Sequence, residues 1–535
     1  MGIKAWNNAG AGINARVLAL CAGLACLGGC GSSRRPDEKF PIDPAPAVNG
    51  PAWLGFASNP QHTAISRGAA QSLSRIVWRK FVDLDPPYVG SALYIHYGSP
   101  VITDQNTVVL PIRVDARAAF RIEARSGGNG ALIWSYDSDY QLPPFEWFPS
   151  YNLTLAPAAP DGSAPARLYA AGAGGKLLMR DAPDARDGTM QTAVFYGADI
   201  YAAAAAALDA AVQINTPITV DSRRNAFFGF QVTGTNPPGL LSGIARVDAA
   251  GAGSWRAAGD VVGDPAIDKV ATNSAPALSA DEQTLYVAVN TLDSSAPGKP
   301  AYLLALDSRT LALKARARLT DPATGAPAVV TDDSTASPTV GPDGDVYFGV
   351  LESTRHNNRG WLTHFDSTLA TPKIPGSFGW DDTASIVPAA MVASYTGSSA
   401  YLLMTKYNNY AGNGIGGDGA NRVAILDPNA GQTDTYSSVT VMQEVVTMLG
   451  PTADRAVSGG VKEWCINSAA VDPATSSVLV NSEDGVLYRW DLSTNQLSQQ
   501  IRLTSGLGQA YTPTAIGADG SVYAISDATL FVVGP

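Results

Sequence analysis

The chain has 535 residues, of which 45% are hydrophobic and 16% charged, so it can bury a large core and does not belong to the disordered class. Its net charge of −11 disfavours nucleic acid and anionic lipid headgroups as partners. Two of the four cysteines lie in the N-terminal apolar stretch and a third is Cys30, which leaves Cys465 alone in the body. The body therefore has no internal disulfide, and packing must stabilise it.

The N-terminus has the pattern of an export signal. Lys4 and Arg16 precede an apolar stretch from Val17 to Leu27, which is too short to span a membrane as a helix. The stretch ends in Leu-Gly-Gly followed by Cys30, which resembles the lipobox of bacterial lipoproteins. The resemblance implies that residues 1–29 are a signal peptide and that Cys30 is lipidated. The alternative is an ordinary secretory signal with an incidental cysteine.

The residues after the cysteine indicate where such a lipoprotein would reside. Gly31 follows Cys30, rather than the aspartate that retains lipoproteins at the inner membrane. We therefore expect a lipid-anchored protein of the bacterial envelope, at the outer membrane and facing the periplasm. Residues 30–50 are rich in charged residues and proline, and they predict a flexible tether. Removal of residues 1–29 leaves 34 basic and 47 acidic residues, and a net charge of −13.

The body, residues 51–535, repeats one phrase. Its clearest copy spans Ser468–Leu497, and a shortened copy spans Thr512–Val533. Each copy contains alternating apolar runs around Asp-bearing turns, which predicts hairpins. A four-stranded unit of about 45 residues cannot bury both its faces alone, and this period is typical of propeller blades. Eight inner-strand openings follow one another, at residues 99–102, 152–155, 216–220, 275–278, 337–340, 386–388, 468–471 and 512–515.

These openings predict an all-β fold: an eight-bladed propeller of four-stranded antiparallel blades. Seven blades are the alternative, because the second copy is weak and the gap before Trp464 is long. The last copy stops at its third strand, Leu530–Val533, whereas Ile76–Arg79 is a strand without a nearby partner. We expect the N-terminal strand to close the last blade, since closure removes exposed sheet edges. Tyr201–Ala211 is alanine-rich and predicts a short helix inserted between blades.

The proline-led inner strand, the Asp turn, the Val-Tyr doublet and the Leu-x-Ala-Leu-Asp strand resemble the PQQ-like repeat of quinoprotein alcohol dehydrogenases. The layout is also similar to the propeller lipoprotein of the outer-membrane β-barrel assembly machinery. Quinone enzymes of this family hold PQQ over Ca²⁺ at the ring centre, and many have two adjacent cysteines. This chain has no adjacent cysteine pair and no Cys-x-x-Cys-His haem motif. We identify no catalytic residue or metal ligand, and we expect no cofactor; PQQ and Ca²⁺ belong to the alternative.

The long inserts fall on loops that share one face of a propeller, where binding residues usually lie. The segment from Tyr136 to Tyr151 is the richest in aromatic residues. The candidate partner-binding residues are Tyr136, Tyr140, Phe145, Trp147, Phe148 and Tyr151. Exposed aromatics of this density would anchor a protein or a glycan; the alternative is that they cover the interface between blades.

The sequence thus favours a non-catalytic, monomeric ring at the outer membrane that serves as an interaction scaffold for another envelope protein. The alternatives are a PQQ-dependent periplasmic oxidoreductase and a glycan-binding propeller.

Overall fold

The computed structural model describes residues 43–535 apart from positions 91, 116–118, 146, 237, 297, 412–414 and 507–512. Cys30, the signal peptide 1–29 and residues 30–42 of the tether lie outside the described residues. Residues 43–50 lie against the first blade, where the Ala45 amide donates to Ser126 Oγ and the Gly50 amide to the Asp104 carbonyl. In the described part of the chain, no helix combines the length and apolar character needed to cross a bilayer.

Eight antiparallel sheets form a closed ring, as the eight openings predict. Blade 1 contains Val101–Ile102, Thr107–Arg113, Phe120–Ser126 and Leu132–Ser138. Blade 2 contains Thr154–Ala156, Arg167–Ala171, Lys176–Asp181 and Gln191–Val194. Blade 3 has an inner strand in two pieces and contains Val212–Ile214, Thr219–Val220, Ala226–Val232, Gly243–Val247 and Gly253–Ala257. Blade 4 is interrupted in the same way and contains Lys269–Val270, Ala277–Leu278, Thr284–Asn290, Tyr302–Asp307 and Leu313–Arg318.

The second half of the ring follows the same order from the inner strand outwards. Blade 5 contains Thr339–Val340, Val346–Val350 and Trp361–Phe365, and isolated bridges from Leu362 to Gly376 and from Phe365 to Pro372 occupy its outer position. Blade 6 contains Ser385–Pro388, Tyr401–Tyr407, Arg422–Thr433 and Thr440–Leu449. Blade 7 contains Ala470–Asp472, Ser477–Asn481, Val486–Asp491 and Gln496–Arg502. Blade 8 contains Ala515–Ile516, Val522–Ser526, Thr529–Gly534 and Arg75–Phe81.

The other elements lie in connections between strands. They are the helices Ala198–Ala211 and Ala258–Val262, the 3₁₀ turns Ala173–Gly175, Ala389–Met391 and Pro473–Thr475, and a hairpin of Tyr88–Val89 with Ala92–Leu93. The alanine-rich stretch therefore forms the predicted inserted helix between blades 2 and 3, although the helix begins three residues earlier than expected.

Burial explains why the strands within one blade differ in composition. Val346–Val350, a second strand, is buried at every position because neighbouring blades cover both its faces. Gln496–Arg502, an outer strand, alternates between exposed and half-buried residues because only one of its faces meets the ring. Continuous apolar runs such as Val-Tyr-Phe-Gly-Val therefore mark inner positions, and alternating runs mark outer ones.

The N-terminal strand closes the ring as predicted. Trp78 pairs with Val532 and Arg79 with Phe531 in an antiparallel register. The Trp78 indole is buried, and its Nε1 donates a hydrogen bond of 2.7 Å to the Gly127 carbonyl of blade 1. The same side chain therefore completes blade 8 and joins it to the next blade, which settles the number of blades at eight.

Residues 53–71 lie at the centre of the ring, next to the C-terminal ends of the inner strands. Their backbone exchanges hydrogen bonds in turn with inner-strand residues of blades 1, 2, 4, 5, 6 and 7 and with the first turn of blade 8. These contacts join Trp53 to Ile102, Leu54 to Leu155, Pro60 to Leu278, Gln61 to Val340, Thr63 to Ile386, Ala64 and Ser66 to Val471, and Gln71 to Gly520. We call residues 53–71, which precede the first blade in sequence, the central segment. The blades are arranged around it.

Hydroxyl groups of inner-strand residues join neighbouring blades close to the central segment. Thr339 Oγ1 donates to the Ala384 carbonyl across blades 5 and 6 at 2.9 Å, and Ser385 Oγ donates to the Ala469 carbonyl across blades 6 and 7 at 2.7 Å. Thr514 Oγ1 accepts from the Ala470 amide across blades 7 and 8 at 2.8 Å. The Ser and Thr residues of the repeated inner-strand phrase therefore satisfy buried backbone groups between sheets.

Candidate functional site

The two faces of the ring carry different connections. Because strands alternate in direction, the connections between blades and those between second and third strands share one face, which we call the loop face. The described residues of the long inserts lie on it: those within 231–241, 291–300, 352–360 and 406–421, and the segment before Trp464. The opposite face carries short turns such as residues 308–312 and 492–495. Any extended binding surface therefore lies on the loop face.

Two of the six candidate aromatic residues are buried in the ring. The rings of Tyr140 and Tyr151 stack at 4.9 Å, and Tyr151 also stacks on Phe120 at 4.6 Å. Tyr151 Oη donates to the Ala171 carbonyl of blade 2 at 2.7 Å, and Tyr140 Oη to the Ile214 carbonyl of blade 3. These two residues cover the interface between blades, as the alternative interpretation expected, and are not available to a partner.

The other four residues lie closer to the surface. Phe145 is exposed and packs against Phe148 at 4.3 Å between ring centroids. Trp147 is half-buried and stacks on His96 at 5.5 Å, and Arg113 lies over the Phe148 ring at 4.4 Å. Tyr136 is half-buried on the outer strand of blade 1. The structure thus separates the aromatic group into a buried pair and an outer part.

A polar cluster connects the inner-strand openings of blades 5, 6 and 7. Asp381 Oδ1 accepts from the amide and the hydroxyl of Thr335 at 2.8 and 2.6 Å. Asn467 Nδ2 donates to the Thr335 carbonyl at 3.1 Å. Lys406 has 2% of its side chain exposed; its Nζ donates to the Asp381 carbonyl at 2.8 Å and lies 3.9 Å from Asp381 Oδ2. The Lys406 ammonium is therefore the counter-ion of a buried carboxylate.

Asp382 and His96 extend this polar cluster. We call the polar residues at the inner-strand openings the axial residues. Asp382 Oδ1 accepts from the Lys406 amide at 3.3 Å, while its Oδ2 has no hydrogen-bond partner among the described residues. Burial raises the pKa of Asp382 to about 8, although Lys406 acts in the opposite direction. Burial lowers the pKa of His96, against the influence of Asp381. Burial therefore favours the protonated form of Asp382 and the neutral form of His96.

A second buried lysine neutralises the opening between blades 4 and 5. Lys269 Nζ donates to Asp332 Oδ1 at 2.6 Å and to Asn290 Oδ1 at 3.0 Å. Asn273 donates to the Asp332 carbonyl and accepts from the Ser150 amide. Ser150 belongs to the aromatic segment, so this hydrogen bond attaches the segment to the inner openings of the ring.

The axial residues do not fit the Ca²⁺ that a quinone enzyme holds. Ca²⁺ takes six to eight oxygen ligands, and ionised carboxylates among them raise its affinity. Asp381 and Asp332 each have a lysine ammonium as counter-ion, and burial raises the pKa of Asp382 to about 8. A divalent cation at either carboxylate would therefore compete with a lysine ammonium that is already there. No step of quinone chemistry can be derived from these side chains.

Cys465 is buried beside two glutamates that the sequence analysis did not place there. Ligand atoms of Glu463, Cys465 and Glu483 lie within 4.8 Å of one another on the loop face. Burial raises the pKa of Glu483 to about 7, with Glu463 adding to the effect, and burial also raises the pKa of the thiol. Glu483 lies 18 residues after Cys465 in the next hairpin, so no local sequence signal brings these groups together.

Exposed large apolar side chains concentrate on the loop face. Among the described residues, six lie in its connections: Tyr88, Val89, Phe145, Ile200, Leu241 and Leu292. The most exposed are Val89 and Leu292, each with 61% of its surface accessible. The sequence analysis identified Phe145 among them but missed the others, because single apolar residues within polar loops give no pattern.

Solved structures share this architecture. A europium-containing methanol dehydrogenase superimposes with a TM-score of 0.52 at 10% identity, covering 89% of each chain. The quinohemoprotein alcohol dehydrogenase of Comamonas testosteroni gives a TM-score of 0.50 at 12% identity, covering 91% of this chain and 81% of the other. The chain has the quinoprotein-like propeller architecture. BamB from Moraxella catarrhalis gives a TM-score of 0.42 at 13% identity, covering 86% of this chain and 99% of BamB.

No protein-family model and no curated protein matches the sequence. The similarity to quinoproteins is therefore one of fold, and activity has to be inferred from the side chains of this chain.

Proposed function

We propose that the protein is a non-catalytic propeller, lipid-anchored to the outer membrane through Cys30, that binds another envelope protein through its loop face. The observation that carries this proposal is the position of the exposed apolar side chains, six of which, among the described residues, lie in connections on one face of a rigid ring. Apolar side chains presented by loops on a rigid scaffold are typical of protein-binding surfaces.

Site-specific photocrosslinking in the native membrane tests the partner. A photoreactive amino acid replaces Tyr88 or Phe145 on the loop face, and Arg309 or Thr494 in turns of the opposite face serves as the matched control. We expect one discrete adduct from the loop-face positions and none from the controls. Equal labelling from both faces, or no adduct at all, would count against the proposal.

The anchor has its own test. We expect Cys30→Ser to leave an unprocessed precursor that incorporates no labelled fatty acid, because the sulfur is the group that accepts the lipid. A Cys21→Ser variant serves as the control, since residue 21 leaves with the predicted signal peptide. Normal processing and acyl labelling of the Cys30→Ser protein would refute lipidation at this position.

The PQQ-dependent alternative is distinguished by a reconstitution experiment. Purified protein is incubated with PQQ and Ca²⁺, and bound-quinone absorbance and dye reduction are measured. We expect neither, because the buried Lys406 and Lys269 already neutralise Asp381 and Asp332 at the ring openings. Stoichiometric quinone binding with dye reduction would replace the scaffold proposal with the enzymatic one.

A further inference from the structure

A groove on the loop face lies between blades 3 and 4. It has a volume of about 910 Å³ and is lined by residues 232, 234–236, 239–242, 257, 259, 260, 263–265, 267 and 268 and by Leu292. These stretches are the second-to-third-strand loop of blade 3, the connection between the two blades, and the corresponding loop of blade 4. A volume of this size falls in the range of sites that take a drug-sized ligand or a short peptide segment.

The walls of the groove are fixed by hydrogen bonds. Asn236 Oδ1 accepts from the Leu240 amide at 2.6 Å, and its Nδ2 donates to the Leu240 carbonyl at 3.1 Å. Leu240 itself is buried and holds this loop on the ring. Asp268 Oδ2 accepts from the Leu292 amide at 2.8 Å and fixes the loop of blade 4. The groove is therefore preformed, which lowers the entropy that binding would cost.

Its apolar contacts are exposed on two different loops. Leu241 is 58% exposed and Leu292 is 61% exposed, and both line the groove. An isolated exposed leucine is ordinary, but two leucines from different blades that line one cavity form a surface for an apolar side chain.

The charged residues that line the groove are all acidic. They are Asp260, Asp264 and Asp268, and no lysine or arginine is among the described lining residues. Asp260 and Asp268 are exposed, whereas Asp264 accepts a hydrogen bond from Tyr302 and is influenced by Arg316 and Arg318 at the outer edge. The lining therefore favours a cationic occupant on the side of Asp260 and Asp268.

We propose that this groove binds a segment of the partner protein in which apolar side chains are flanked by lysine or arginine. This inference rests on the proposed function, and it identifies the place on the loop face and the chemistry of the segment. Leu241 and Leu292 contact the apolar side chains, and the carboxylates of Asp260 and Asp268 pair with the basic ones.

Peptide binding tests the chemistry. Three labelled 12-residue peptides are compared by fluorescence polarisation: alternating Leu and Lys, alternating Leu and Glu, and alternating Ser and Lys. We expect the Leu-Lys peptide to bind the wild-type protein at least tenfold more tightly than either of the others. Equal binding of the Ser-Lys peptide would reduce the effect to net charge and overturn the proposal.

Matched variants locate the binding. Leu241→Ser with Leu292→Ser removes the two groove leucines, and Leu313→Ser with Leu449→Ser removes two leucines that are each 39% exposed elsewhere. We expect at least a tenfold loss of affinity for the first pair and no change for the second.

Asp260→Asn with Asp268→Asn should weaken binding and flatten its salt dependence, whereas Asp187→Asn with Asp199→Asn removes the same charge elsewhere without that effect. Equal losses for the groove and control pairs would refute the site.

Crosslinking in the membrane separates this inference from the proposed function. The photoreactive residue replaces Leu241 or Leu292, and the result is compared with the positions of Tyr88 and Phe145. We expect the same partner to be captured from the groove positions. Capture at Tyr88 or Phe145 without capture at the groove would leave the proposed function intact and overturn the groove, whereas no capture at any position would overturn both.

Discussion

The polar residues at the inner-strand openings are neutralised by lysine side chains of the same chain. Lys406 and Asp381 form a buried ion pair across the opening of blade 6, and the buried Lys269 pairs with the half-buried Asp332 between blades 4 and 5. Burying charges is unfavourable unless they are paired and hydrogen-bonded, so these lysines stabilise carboxylates that would otherwise require a metal or a proton. Asp382, which lacks a full set of partners, takes the proton instead.

The protonation of Asp382 leads to a prediction on pH dependence. Its folded pKa of about 8 lies above the unfolded value, so the folded protein retains a proton that the unfolded chain has released. The free energy of unfolding contributed by this group therefore falls as pH rises from about 4 to about 8, by up to about 1.4 kcal/mol per pH unit. Urea unfolding at pH 5, 6, 7 and 8 should show this slope in the wild type and a smaller slope in Asp382→Asn. Parallel curves for the two proteins would contradict the assignment.

His62 predicts the opposite slope at acidic pH. It lies in the central segment, where Nδ1 contacts the Pro338 carbonyl at 2.7 Å, and burial lowers its pKa to about 4. The unfolded chain binds a proton below pH 6.5 that the folded chain does not, so stability falls by up to about 1.4 kcal/mol per pH unit between pH 6.5 and 4. His62→Asn keeps an amide donor and tolerates the left-handed φ of 59°. We expect this variant to lose part of the acid sensitivity, as measured by thermal unfolding from pH 4 to 7.

Single residues were predictable from the sequence only where neighbours in the chain determine them. The burial of Cys465 follows from its place beside Trp464 at the start of an inner strand. The meeting of Asp381, Thr335 and Asn467 could not be predicted, because three blades contribute one residue each and the register around the axis is not encoded locally. For the same reason, the aromatic segment could not be divided in advance into the buried pair Tyr140 and Tyr151 and its outer part.

At the scale of elements, the closing strand offers a direct test. Trp78→Ala removes a buried indole and its hydrogen bond to the Gly127 carbonyl, and we expect the free energy of unfolding to fall by about 3–5 kcal/mol. Arg79→Ala lies next to it on the exposed side of the same strand and should lower stability by clearly less, because it leaves no buried cavity. Both are measured by urea unfolding, and equal effects would show that closure does not depend on the indole.

Strands were predictable because burial leaves a signature within each one. A second strand such as Val346–Val350 is apolar throughout, and an outer strand carries the tryptophan or the polar alternation expected at the ring surface. The central segment gave no such signal. Ala57, Ser58, His62 and Ala64 adopt positive φ values that non-glycine residues rarely take, so its path is imposed by contacts with the surrounding blades rather than by its own conformational preference.

At the scale of the whole molecule, the stability of the ring depends on contacts at its centre and on the strand that closes blade 8. Residues 53–71 form backbone hydrogen bonds with blades 1, 2 and 4 to 8, and Arg75–Phe81 completes blade 8. These two segments are nearly consecutive, so one stretch of about 30 residues supplies both the centre of the ring and its closing strand. Blade 8 therefore depends on the N-terminal stretch for closure, whereas each of the other seven blades is built from residues close together in sequence.

Truncation tests this dependence. A chain that begins at residue 83 lacks both segments and leaves Thr529–Gly534 as an unpaired edge, whereas a chain that begins at residue 43 retains the whole described body. We expect the shorter chain to self-associate, because an exposed strand edge pairs with other chains, and to elute at higher mass in size-exclusion chromatography with light scattering. A synthetic peptide of residues 72–83 should restore at least part of the monomer by supplying the missing strand, and a peptide with Trp78→Ala should do so less well. A monomeric, fully stable short chain would show that the ring closes without its N-terminal strand.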